Sequence, residues 1–135
     1  MQLHEEIGAV RRETVVEAPR DAVWPLLSEP AGLEGWLADE VELDAVAPGE
    51  RGVLVEDGEA RLVTVEEVEE GRRVALTWCA PGGEPSLVEL TLEADEDPAA
   101  TRVVVVEIPL ATLRAVTAVP VAAGGRARGP QMAAV

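Results

Sequence analysis

Few side chains in this sequence can do chemistry on their own. There is one cysteine, Cys79, and one histidine, His4; all eleven basic residues are arginine, so neither a lysine amine nor a tyrosine phenol is available. A single cysteine excludes an intrachain disulfide and a cysteine zinc cluster. A Ser-His-Asp triad, a Cys-His pair or a histidine metal site would each have to use His4. Cys79 has no basic neighbour in sequence to stabilise a thiolate. The expectation is a small buried hydrophobe pointing away from Trp78, its neighbour on a strand. Gly82-Gly83 reads as a hairpin tip, because a phosphate loop needs a following lysine. The sequence therefore names no catalytic residue, no metal-ligand set and no cofactor.

The acidic side chains are plentiful but poorly arranged for chemistry. Glu66-Glu67-Val68-Glu69-Glu70 and Glu93-Ala94-Asp95-Glu96-Asp97 invite a calcium reading, yet neither has the alternating oxygen-ligand loop with its central glycine and distant glutamate. They read as solvated charge at turns and strand edges, which also discourages edge-to-edge aggregation. Glu89, Thr91, Arg102 and Glu107 fall in the last two strands. Projected into a cavity, an Arg–Glu pair there would orient a ligand's hydroxyl or carboxyl group. The alternative is a cross-strand surface pair of small energetic value. Trp24, Trp36 and Trp78 are the whole aromatic complement. A tryptophan suits a cavity wall because it joins a large apolar body to one N–H donor, and it equally suits plain core packing.

These residues need elements to hold them. Residues 13–18 form a β-branched strand ended by Pro19. Asp21 is placed to cap a helix running to about residue 28. Val23, Leu26 and Leu27 share one face of it, and Pro25 demands a kink or a late start. A second short helix is predicted over 30–37, with Leu33, Trp36 and Leu37 on one side. Strands then alternate with turn chemistry at 41–43, 52–56, 61–68, 74–80, 86–94 and 101–108. Asp57-Gly58 is the strongest hairpin signal. The four consecutive valines from Val103 to Val106 suggest a strand buried on both faces. Residues 109–119 are a short helix or a strand extension, 120–129 read as a mobile linker, and Pro130 again suits a first helical turn.

Length and charge narrow the setting. A chain of 135 residues supports one domain with a real core. Its formal charge of −15 repels phosphates and the anionic membrane leaflet, which argues against nucleic-acid and membrane partners. No apolar run reaches a membrane span and no basic leader opens the chain, so the expected location is the cytoplasm. The absence of Lys, Asn, Tyr and Phe fits a GC-rich bacterial codon bias.

Three blocks carry a resemblance. Val15-Val16-Glu17-Ala18-Pro19-Arg20-Asp21-Ala22-Val23-Trp24, then Leu33-Glu34-Gly35-Trp36-Leu37, then Val74-Ala75-Leu76-Thr77-Trp78 follow in order, with the acidic stretch Val65-Glu66-Glu67-Val68 before the third. Together they resemble the SRPBCC superfamily (START-like), and within it the family related to the activator of the ninety-kilodalton heat-shock-protein ATPase. The resemblance spans residues 12–107. It implies an α+β helix-grip fold: a curved antiparallel sheet of six or seven strands, two short helices after the first strand, and a long C-terminal helix gripped over a cavity. Members bind lipids, sterols, polyketides or other apolar ligands, and some cyclise or hydrolyse them.

On that basis residues 1–108 are the domain core and 109–135 a partly mobile tail holding only the start of the gripping helix, at 129–135. An open concave face needs a cover, supplied by residues 109–119, by a second copy in a homodimer or by a partner. The resemblance implies a small apolar molecule bound between sheet and helices. Leu27, Leu90 and Val105, the tryptophans Trp24, Trp36 and Trp78, and Glu107 are the expected ligand contacts, Trp36 foremost. Two other readings remain open: a polyketide cyclase-like or hydrolase-like enzyme using cavity carboxylates, and a co-chaperone stimulating a heat-shock ATPase.

Overall fold

The computed structural model describes residues 9–111. Seven strands follow one another as β1 Val10–Val16, β2 Glu40–Glu42, β3 Arg51–Glu56, β4 Glu59–Glu69, β5 Arg73–Cys79, β6 Ser86–Ala94 and β7 Thr101–Pro109. They form one antiparallel sheet in the order β1-β7-β6-β5-β4-β3-β2. From β2 to β7 each strand pairs with the next in sequence, because short turns can only return the chain antiparallel. Asp57 and Gly58 both take positive φ, 53° and 78°, so the β3–β4 reversal is the tight two-residue kind whose twist matches the strands. Between Val65 and Glu67 the β4–β5 register slips by a bulge at Glu66, and a bulge bends a strand. The sheet curls into a half-barrel.

Three helical segments, α1 Arg20–Val23, α2 Pro25–Ser28 and α3 Pro30–Leu33, fill the β1–β2 connection and lie against the concave face. Pro25 breaks the first helix as its chemistry requires, since it lacks the N–H a continuous helix would use. Two sequence expectations are corrected here. The residue capping α1 is Pro19, with no side-chain cap, and Asp21 lies inside the first turn. The later helix stops at Leu33 and not at Leu37, because Gly35 turns left-handed at φ 95° and its N–H donates to the Ala38 carbonyl. Trp36 therefore sits on a turn.

Strand alternation sorts the side chains. Val103, Val105 and Glu107 of β7 share the concave face with Val88, Leu90 and Leu92 of β6, and with Val74, Leu76 and Trp78 of β5. These aliphatics join Val23, Leu27, Leu33 and Leu37 in one core cluster, with Val88 and Leu90 wholly buried. Gly32 marks where α3 meets α2: a Cβ there would lie 2.0 Å from the Pro25 carbonyl oxygen. β7 runs to Pro109, so the strand-extension reading holds for its first residue, and Leu110 N–H donates to the Pro85 carbonyl. His4, the linker at 120–129 and the helix start at 129–135 lie outside the described residues.

Candidate functional site

Two adjoining clefts lie on the concave side, between the β1–β7 pair and the Trp36 turn. One of about 330 Å³ is lined by Arg12, Glu13, Thr14, Trp36, Val103 and Val105. The other, about 250 Å³, is lined by Thr14, Val16, Leu26, Leu27, Trp36 and Val103 and presents no polar surface. Thr14, Trp36 and Val103 border both, so the two are one groove with an apolar inner end and a more open outer one. The β1–β7 register explains its floor: Val16 faces Thr101, Thr14 faces Val103 and Arg12 faces Val105. These pairs share one side of the sheet.

Trp36 forms the opposite wall. Its indole N–H donates to the carbonyls of Gly32, at 2.9 Å, and Leu26, at 3.1 Å, so both short helices fix the ring. The polar edge is thereby satisfied within the fold, and what remains for the groove is the apolar ring. The other two tryptophans are tied in the same way. Trp24, almost fully buried, donates to Glu70 across 3.1 Å. Trp78 donates to Glu107 across 2.9 Å, with the Arg61 guanidinium 4.9 Å above its ring. A cation over an indole face is attracted by the ring quadrupole. Glu107 is thus a half-buried carboxylate on the concave face, held by β5 from across β6.

Of the residues expected to contact a ligand, Leu27, Trp36 and Val105 line the groove. Leu90 lies in the core beneath it, and Trp24 packs in the core beside Glu70. Trp78 and Glu107 form their own pair further along the concave face. Of the two readings left open for Glu89 and Arg102, the structure has the surface one. Glu89 and Arg102 lie on the convex side, where Glu89 bonds Arg73 at 2.7 Å and Arg102 bonds Asp95 at 3.0 Å. Arg73 also holds Glu67 and Glu69, and the Glu89 hydrogen bond first among these contacts raises its pKa further above the arginine range. The Asp95 carboxyl is lowered, chiefly by the backbone N–H of Asp97 and then by Arg102.

Cys79 corrects a further expectation, being half-buried. It borders a convex-face cleft of about 370 Å³ with Arg51, Leu62, Thr64, Thr77 and Pro85. That cleft lies on the outer surface of the sheet and gains nothing from the helices. Among the described residues no group of three or more His, Cys, Asp or Glu is placed to hold a metal, and no helix is long and apolar enough to cross a membrane.

Arg12 escapes the sequence reading because that reading starts the first strand at residue 13, whereas β1 begins at Val10; Thr14 and Val16 lie within the expected strand but are not singled out there as site residues. The available signal was parity: counting back by twos from Val16 places Thr14 and Arg12 on its face.

Residues 17–131 match the model of a family described as activator of Hsp90 ATPase homolog 1-like protein. No curated protein sequence matches the chain. Among solved structures, CalU16 from Micromonospora echinospora is similar at TM-score 0.60 and 24% identity, over 75% of this chain and 60% of that one. DynU16, a protein of the dynemicin biosynthetic locus, is similar at TM-score 0.62 and 25% identity, over 82% of this chain and 43% of that one. MLL2253 from Mesorhizobium loti is similar at TM-score 0.60 and 24% identity, over 83% of this chain and 88% of that one. This chain thus spans less than two-thirds of the first two.

Proposed function

Since the chain belongs to the family of activator of Hsp90 ATPase homolog 1-like proteins, we propose that it binds a small apolar molecule in the groove between β1, β7 and the Trp36 turn. The observation that carries this reading is the inner cleft without polar surface, walled by Leu26, Leu27 and the Trp36 ring. Small-molecule sites are concave and mostly apolar, with few polar groups at their rims. All three indole N–H groups are bonded within the fold, so apolar contact is what the tryptophans offer. The likeness to DynU16, from a biosynthetic locus, is in keeping with a small organic ligand.

Native mass spectrometry with a mixed library of apolar compounds tests this reading. Retained mass is expected for wild type. Trp36→Ala removes the groove wall and is expected to weaken binding about tenfold, the loss of one large apolar contact. Retention undiminished in Trp36→Ala, or no retention at all, would sink the reading.

A second reading, a cyclase-like or hydrolase-like enzyme, rests on the Glu107 carboxylate beside Trp78. Turnover of a retained compound by wild type and not by Glu107→Gln would favour it. Retention without turnover favours binding alone.

A further inference from the structure

The groove's outer end carries one ionic side chain directed into it, that of Arg12. Glu13 also borders the cleft, but its side chain is on the convex face, where its carboxylate pairs with Arg11 and Arg102. Arg11 is on that same outer side, so the alternation of β1 leaves Arg12 as the one ionic side chain among Val10, Arg12, Thr14 and Val16 on the concave face. Among the described residues no carboxylate lies within ion-pair reach of Arg12. Arg11, Arg72, Arg73 and Arg102 have acidic partners, whereas Arg12, Arg20, Arg51 and Arg61 have none among the described residues; of these four, Arg12 is the one that borders the groove.

Resting on the binding reading above, we propose that the groove selects an amphipathic monoanion, a carboxylic acid with an apolar body. Its apolar part fills the inner cleft against Leu27, Trp36 and Val103, and its carboxylate meets Arg12 at the outer end. The guanidinium is planar and presents paired N–H donors, which match a carboxylate two to two. The Thr14 hydroxyl, next on the same face, is placed to donate a further hydrogen bond to that head. The net charge of −15 sets a general repulsion of anions. At physiological salt that field is screened beyond about 8 Å, so the adjacent arginine decides the local preference.

The test compares straight-chain alkanoates of about six to twelve carbons, roughly what clefts of this size admit, with alkanamides and alkylamines of equal length by calorimetry. Wild type is expected to bind the acid about tenfold more tightly than the amide, as a charge-assisted bond replaces a neutral one. Arg12→Gln, on an exposed edge strand, is expected to keep the amide affinity and lose the preference. Arg12→Lys is expected to restore part of it. Equal binding of acid and amide by wild type, or a preference for the amine, overturns the anion assignment and leaves the groove reading intact. Preference for the acid that survives Arg12→Gln overturns the role of Arg12. If no member of the series binds, both the groove reading and this inference fall.

Discussion

Gly32→Ala tests the wall that positions Trp36. In isolation the change favours folding, because alanine in a helix is better than glycine by about 0.8–1.0 kcal/mol. Here the new Cβ would stand 2.0 Å from the Pro25 oxygen and 2.8 Å from Leu26 Cα, both backbone atoms. Favourable non-bonded separations are about 3.5 Å, so α3 must part from α2 by roughly 1.5 Å at the Pro25 oxygen. Overpacking of this kind costs about 1–3 kcal/mol. The shift also loosens the Trp36 N–H from the Gly32 and Leu26 carbonyls, each bond contributing about 1 kcal/mol. Subtracting the propensity gain leaves a net loss of about 3 kcal/mol, or roughly 10 °C in melting temperature for a chain of this size. Thermal and urea unfolding followed by circular dichroism, with the near-ultraviolet tryptophan bands, measure both parts. Gly83→Ala is the control: its nearest neighbour is Ala80 O at 3.2 Å, and a change under 1 kcal/mol or so is expected. A Gly32→Ala protein that melts at or above wild type with unaltered tryptophan bands would refute the close-contact argument.

Leu90→Ala, at a position with no exposure, is expected to cost about 2–5 kcal/mol in urea unfolding; a loss under half the lower bound would mean the concave core is loosely packed. Trp78→Phe removes the donor to Glu107 and is expected to cost about 1–3 kcal/mol, with Glu107→Gln restoring part of it by removing the unpaired charge. No loss on Trp78→Phe would show that water satisfies Glu107 equally well. Asp95 has a folded-state pKa below its ordinary value of 3.8, so its contribution to stability is present above that value and fades as pH falls through the folded one. Asp95→Asn is expected to lower stability at neutral pH and flatten this acid limb; unchanged acid unfolding would count against the Asp97 and Arg102 contacts.

The strands were legible where chemistry agreed at every level. Ser86–Ala94 alternates apolar Val88, Leu90 and Leu92 with polar Glu89, Thr91 and Glu93 and is bounded by proline-rich and acidic turns, and its limits are those the alternation predicts. The helices were not, because backbone exceptions overrode their apolar spacing: Pro25 splits one and Gly35 ends the other before Trp36. Spacing alone still put Leu33, Trp36 and Leu37 together, since a turn and a helix bring the same residues to the sheet. In β7 the run of valines hid the parity that separates the concave Val103, Val105 and Glu107 from the convex Arg102. Only pairing with β6, where Leu90 faces Val105, resolves it.

The groove's outer wall, β1, belongs to the sheet on different terms from the other strands. β2 to β7 are assembled from neighbours in sequence, whereas β1 pairs across nearly the whole domain, Val10 facing Glu107 and Val16 facing Thr101. Contacts that span so long a loop form late, because the chain must lose the entropy of closure before they repay it. Among the described residues β1 is also paired on one side only, with Thr101 Oγ1 donating to the Ala18 carbonyl as a latch at its end. The expectation is that the wall of the proposed site behaves as a door, β1 opening ahead of the six-stranded meander. We expect the amides of β1 to exchange with solvent ahead of those of β5 and β6, and a bound ligand to slow them selectively. Equal exchange across the three strands would show that the door is shut as firmly as the walls.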